Sequence, residues 1–79
     1  MSKIFVFENV QSWNAVKVHF DNAGKIDEEI ILITTDTKKK ALNAAKKHNR
    51  NRPVGRGELE IIEADYRNGQ YNAAYSLTR

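Results

Sequence analysis

The stretch TDTKKKALNAAKKHNRNRPVGRG, residues 35–57, divides the chain into two unlike parts. Thr35-Asp36-Thr37 is a helix start signal, because Thr35 or Asp36 can accept a hydrogen bond from a first-turn N–H. Lys38 to about His48 follows with strong helix formers and neither Gly nor Pro. At 100° per residue, Ala41, Leu42 and Ala45 share one face. Lys39, Lys40, Asn43, Lys46 and Lys47 spread over roughly 120° of the other side. From Asn49 to Gly57 the reading is a loop, since Pro53 and two glycines stop the helix.

Strand patterns lie on both sides of this helix. Lys3 to Glu8 sets two β-branched and two aromatic residues in a row, as in a central strand buried on both faces. Asn9 to Asn14, with Trp13 inside it, breaks the pattern. Val16, Val18 and Phe20 then alternate inward with Lys17 and His19 outward. Asp21-Asn22-Ala23-Gly24 is a turn, and Asp27 to Thr34 a third strand with Ile30 to Ile33 as its core. After the loop, Glu58 to Asp65 reads as a strand. Leu59 and Ile61 fall on one parity and Ile62, Ala64 and Tyr66 on the other, which suggests a bulge near Ile61-Ile62. Asn68-Gly69 is a two-residue hairpin signal. Tyr71, Ala73, Tyr75 and Leu77 alternate with Asn72, Ala74, Ser76 and Thr78, giving the last strand one packed face. The expected fold is α+β, a single two-layer domain over residues 1–79. Its order is β-β-β-α-β-β, with a curved antiparallel sheet and one helix packed on one face.

Charge follows the same division. Between Thr37 and Gly57 lie eight of the thirteen basic residues and none of the ten acidic ones. The chain of 79 residues carries a net charge of +3, but this segment alone is +8 and the remainder −5. Three lysines in the first helical turn oppose the helix dipole, and no acid within the segment sits at pairing distance along the helix. A surface shaped only for stability and solubility mixes signs. The pattern therefore points to a surface that recruits anions. The candidate binding residues are Lys39, Lys40, Asn43, Lys46, Lys47, Arg50, Arg52 and Arg56.

Other chemistry has less support. There is no cysteine, hence no disulfide, thiolate zinc site or thiol nucleophile. His19 and His48 lack a second ligand at useful spacing, so no metal is expected, and no cofactor. Asp27-Glu28-Glu29 and Glu58-Glu60-Glu63 read as solvated strand faces or as partners for the basic segment. Val54-Gly55-Arg56-Gly57 contains G-x-G but lacks the strand-before, helix-after context of a phosphate loop. A small toxin-like ribonuclease would draw on His19, His48, Tyr66, Tyr71 or Tyr75 for acid–base work, yet nothing selects one arrangement. The chain is expected not to be an enzyme. No aliphatic run approaches the ~20 residues of a membrane span. The opening Met-Ser-Lys-Ile-Phe-Val-Phe reads directly as a strand rather than a leader, so a cytoplasmic setting is expected.

Two partner classes remain. Lys and Arg can track an RNA or DNA backbone, with Trp13, Tyr66, Tyr71 and Tyr75 as stacking surfaces if a sheet face is open. The same cations can dock on an acidic protein surface or on a nucleoprotein complex. An exposed edge at the last strand offers a place for two copies to pair, although the sequence does not fix the oligomeric state. The capped Lys/Ala-rich helix (Thr35 to His48), the glycine loop into Gly57-Glu58-Leu59-Glu60-Ile61, Asn68-Gly69 and the aromatic last strand together resemble small phage-encoded accessory proteins. Among these are anti-CRISPR proteins that inhibit type I surveillance complexes. The resemblance spans roughly Thr35 to Tyr75. It implies a non-enzymatic inhibitor, in the host cytoplasm if phage-encoded, that uses basic residues to occupy a nucleic-acid-binding groove. Low-specificity RNA or DNA binding is the alternative.

Overall fold

The computed structural model describes residues 1–53 and 55–77. The elements run β1 (Ser2–Asn9), β2 (Ser12–Phe20), β3 (Ile26–Thr35), α1 (Lys38–Arg50), β4 (Glu60–Arg67) and β5 (Gln70–Ser76). This is the α+β order β-β-β-α-β-β, built as a five-stranded sheet in the order β3-β2-β1-β4-β5. The sheet is mixed rather than antiparallel. β1 pairs antiparallel with β2 but parallel with β4, with Ile4 opposite Ile61 and Phe5 opposite Ile62. The cause is α1: a helix between β3 and β4 returns the chain to the starting end of the sheet, so β4 runs in the direction of β3 and β1.

The hairpin periodicity places two sets of side chains on opposite faces. Under α1 lie Ile4, Val6, Ala15, Ala41, Ala45, Leu59 and Ile61, with Trp13, Leu32, Ile33, Leu42 and Leu77 packed around them. The other face holds Phe5, Phe7, Val16, Val18, Ile62 and Ala64, flanked by Phe20, Tyr66 and Tyr71. β1 and β4 are buried on both faces, which accounts for the change of parity in β4 without a bulge at Ile61-Ile62. The register shift lies instead between Glu63 and Ala64, where Ala74 of β5 is the extra residue. The shift also breaks the alternation of β5: Tyr71 packs on the aromatic side, Leu77 under the helix, and Tyr75 is exposed. Thr78 lies outside the described residues. β2 is likewise covered on its second face, so Lys17 and His19 are half-buried rather than outward.

β3 departs most from expectation. Its aliphatic run is not core: Ile30 is 43% and Ile31 68% exposed, because β3 is an edge strand with a neighbour on one side only. Leu32 and Ile33 alone reach the helix-side core. At the other edge, the Tyr71 hydroxyl of β5 donates to Glu29 Oε1 of β3 at 2.5 Å. In a flat sheet these strands, four spacings apart, would be separated by ~19 Å. The bond therefore requires a strongly curled sheet, concave on the face away from α1. Phe5 stacks on Tyr71 and Phe7 on Tyr66, at centroid distances of 4.7 and 4.8 Å, and these rings cover the concave side. Burial is the main cause that raises the Tyr71 pKa, followed by its bond to Glu29, so the phenol stays a donor.

The first hairpin turn is tight, although its residues carry no turn signal. Val10 and Gln11, at φ of 44° and 62°, form a two-residue turn between β1 and β2, both in the left-handed region. That is the backbone of a type I′ turn, which favours Asn-Gly. A β-branched residue there costs about 1–2 kcal/mol. Val10 is 88% exposed and contributes little packing in return. The double substitution Val10→Asn, Gln11→Gly is expected to stabilise the fold by about 1–2 kcal/mol, read as a rise in thermal midpoint of several degrees. An unchanged midpoint would show that the turn is not strained.

Candidate functional site

The candidate surface is the outer side of α1 and the loop after it. Thr37 caps the helix, in place of Thr35 or Asp36: it has extended φ and ψ of −134° and 149°, and its Oγ1 accepts from Lys40 N at 3.2 Å. Thr35 is instead the last residue of β3. Ala41, Ala45 and Asn49 form the buried stripe. Small side chains let the helix sit close on the sheet, and the opposite side of the cylinder is left to solvent. Lys39, Lys40, Asn43, Lys46, Lys47 and Arg50 are all exposed there. From Lys39 to Arg50 the helix rises roughly 16 Å, enough to meet several phosphates.

The helix runs two residues beyond His48, and this changes the role of Asn49. Asn49 is buried, not looped out. Its Nδ2 donates to the Leu59 carbonyl and its Oδ1 accepts from the Leu59 N–H, both at 2.9 Å. One side chain thus pairs the backbone entering β4 as a neighbouring strand would. Arg52 closes the same loop, its Nε donating to the Gly57 carbonyl at 2.8 Å, and Arg56 N bonds the Pro53 carbonyl at 3.1 Å. The loop that presents Arg52 and Arg56, entered from Arg50 at the helix end, is therefore fastened at both ends. Val54 lies outside the described residues.

Two lysines of the segment are partly neutralised. Lys38 points toward the sheet and pairs with Glu63 of β4. Lys40 pairs with Asp36 at 3.1 Å, four residues back and just outside the acid-free stretch. The Asp36–Lys40 hydrogen bond, and then the charge of Lys40, hold the Asp36 carboxyl below its usual range. An exposed pair of this kind contributes little and is easily exchanged. Among the described residues, Lys39, Lys46, Lys47, Arg50 and Arg56 have no carboxylate within ion-pair distance. The site residues Lys40, Asn43, Lys47 and Arg50, with Ala44 and Ile33, line a groove of about 470 Å³ between α1 and β3. Lys39 and Lys46 lie round the helix from it.

No protein-family model, curated protein or solved structure matches the chain.

Two of the four aromatic candidates lie away from the basic surface. Tyr66 and Tyr71 lie on the concave face, across the sheet from α1, and Trp13 packs beside the helix-side core. A second hollow of about 290 Å³ opens on that concave face, lined by Phe7, Asn14, Val16, Glu29, Tyr66 and Tyr71 among others. It carries a carboxylate and no basic side chain. Of the acid–base candidates, His19 Nδ1 bonds Ser2 Oγ at 2.9 Å, and Glu28, the cross-strand neighbour of His19, forms no ion pair with it. The Glu60 carboxylate lies 3.9 Å from Lys3. No three His, Asp or Glu side chains among the described residues gather as metal ligands. No helix among them is long and apolar enough to cross a membrane.

His48 has a structural consequence that sequence did not show. It faces inward, and its Nε2 is buried without a hydrogen-bond partner among the described residues. Burial first, then the charges of Lys17 and Arg52, push its pKa below 6.5. The folded state then holds fewer protons than the unfolded one, so the stability present above pH 6.5 is lost as pH falls below that value. Denaturant midpoints are expected to drop between pH 7.5 and 5.5 in the native chain and to drop less in His48→Gln. Equal slopes in the two proteins would contradict this.

Proposed function

We propose that the protein is a non-catalytic docking module that engages a polyanion through the outer side of α1 and the loop of Arg50, Arg52 and Arg56. The partner class is a complex that handles or contains nucleic acid. One observation carries the reading: a row of cations, Lys39, Lys46, Lys47 and Arg50, stands on the solvent side of a single helix with Arg56 in the loop after it, none with a carboxylate at ion-pair distance among the described residues. Desolvating and crowding these charges without compensation has no benefit for folding, whereas phosphates or carboxylates of a partner supply the missing anions. The separation of Tyr66 and Tyr71 from this surface favours backbone or surface-charge contact over base stacking. The engagement of Tyr71 with Glu29, of His19 with Ser2 and of His48 with the interior favours binding over catalysis. Occupation of a nucleic-acid groove by such a surface would inhibit the complex that owns it, in the manner implied by the resemblance to phage inhibitors.

The test is affinity purification from the native host with the intact chain and with its Lys39→Glu, Lys46→Glu variant, each with and without nuclease. The expected result is a partner retained by the native chain and released by the variant. Loss on nuclease treatment would identify nucleic acid as the direct contact, and retention a protein surface. Identical partners for both baits would overturn the proposal.

A further inference from the structure

We infer that β3 is a self-association edge, through which two copies of this chain join their sheets antiparallel about a two-fold axis at Ile30. The ten residues of β3 have a strand neighbour on one side alone. Natural edge strands are guarded by charge, shortness or cover, because their free N–H and C=O groups template further pairing. At the middle of β3, between the acidic run 27–29 and a register shift that leaves Leu32 as the extra residue, Ile30 and Ile31 are large, adjacent and exposed.

Charge identifies a second copy as the occupant. The first half of the edge carries Asp27, Glu28 and Glu29, and neither Asp27 nor Glu28 has an ion-pair partner among the described residues. The second half is overhung by Lys40, Lys47 and Arg50, which line the groove above Ile33. Such an edge is self-complementary only when it runs antiparallel to itself. With Ile30 on the axis, Glu29 falls opposite the partner's Ile31, Glu28 opposite the partner's Leu32 and Asp27 opposite the partner's Ile33. Directly paired residues share a sheet face. Glu28 and Leu32 both belong to the helix side, and Glu29 and Ile31 both to the concave side, as the pairings of Glu28, Glu29 and Ile31 with β2 and the packing of Leu32 require. Glu28 of each copy is thereby brought beside Leu32, below the basic groove of the other copy, and the exposed isoleucines are covered at the centre. A two-fold axis normal to the sheet keeps both α1 helices on one side. The dimer thus presents two copies of Lys39, Lys46, Arg52 and Arg56 to one partner, and doubled contacts raise avidity without new chemistry.

The opposite edge lacks this property, since β5, Gln70–Ser76, has no charged residue to set a register.

Sedimentation equilibrium of the intact chain, without nucleic acid, tests the inference. At low salt the mass is expected to rise from 9.1 kDa toward twice that value as concentration increases. Ile31→Lys, a change at an exposed side chain, is expected to remain at 9.1 kDa with an unaltered circular dichroism spectrum. Glu28→Lys and Lys47→Glu are each expected to weaken the dimer by roughly tenfold or more, and their combination to restore it. A native chain that stays at 9.1 kDa throughout overturns the inference. So does a dimer that survives Ile31→Lys but is lost in Tyr75→Lys, or a charge exchange that restores nothing. The polyanion reading fails separately, by a Lys39→Glu, Lys46→Glu variant that keeps that binding; this variant is expected to leave the dimer mass unchanged.

Discussion

Asn49→Ala is expected to lower stability by about 3 kcal/mol, a large part of the roughly 4–12 kcal/mol typical of a domain this size. The change deletes both hydrogen bonds to Leu59 and leaves its N–H and C=O beneath α1 with no replacement. An orphaned buried polar group costs about 1–3 kcal/mol. Leu59 itself is buried at the entrance to β4, so water has poor access to compensate. At about 4–8 °C per kcal/mol, the thermal midpoint should fall by more than 10 °C. Asn51→Ala, at the exposed helix end, is the comparison and should cost little. If Asn49→Ala unfolds within about 0.5 kcal/mol of the native chain, the side chain is not the clamp that fastens the loop.

Reversing Lys39 and Lys46 to glutamate is expected to weaken binding to single-stranded RNA by roughly 30- to 100-fold at low salt, about 1–1.5 kcal/mol for each lysine–phosphate contact. Both side chains are exposed, neither has an ion-pair partner among the described residues, and the fold should be unaffected. The logarithmic salt dependence is the more specific reading. Each phosphate contact contributes about 0.7 to the slope for a single strand, so the variant's slope should be shallower by about 1.4. Lys38→Gln is the contrasting change. Lys38 is committed to Glu63, so its loss should reduce stability more than binding. An equal effect of Lys38 and Lys39 on binding would show that general charge, not this face, is responsible.

Much of this was readable from residues, and the rest fails for physical reasons. The order of elements, the Asn68-Gly69 turn and the opposed faces of α1 follow from local periodicity and turn chemistry, which act over a few residues. Neighbour relations in the sheet do not. Alternation tells which face a side chain takes, not which strand lies beside it, so the parallel β1–β4 pair was hidden until the crossover by α1 was known. The run Ile30 to Ile33 reads alike for a central and an edge strand, and its exposure is decided by the other strands. Asn49 resembles any polar residue after a helix, because its partner lies ten residues on. Lys38–Glu63 is equally remote in sequence. The Asp36–Lys40 pair, four residues apart on the helix entry, was legible. At the candidate site, the grouping of Lys39, Lys40, Asn43, Lys46 and Lys47 followed from helical spacing, whereas Arg50 read as loop and joins the helix in the structure. The fastening of Arg52 to Gly57 did not follow from spacing.

Backbone amide chemical-shift mapping with a single-stranded oligouridylate tests the cationic face most directly. Saturable shifts are predicted along the outer side of α1 at Lys39, Asn43, Lys46, Lys47 and Arg50 and in the loop at Arg52 and Arg56, fading as salt is raised. Shifts confined to the concave aromatic face around Phe7, Tyr66 and Tyr71, or none at low salt, would contradict the account.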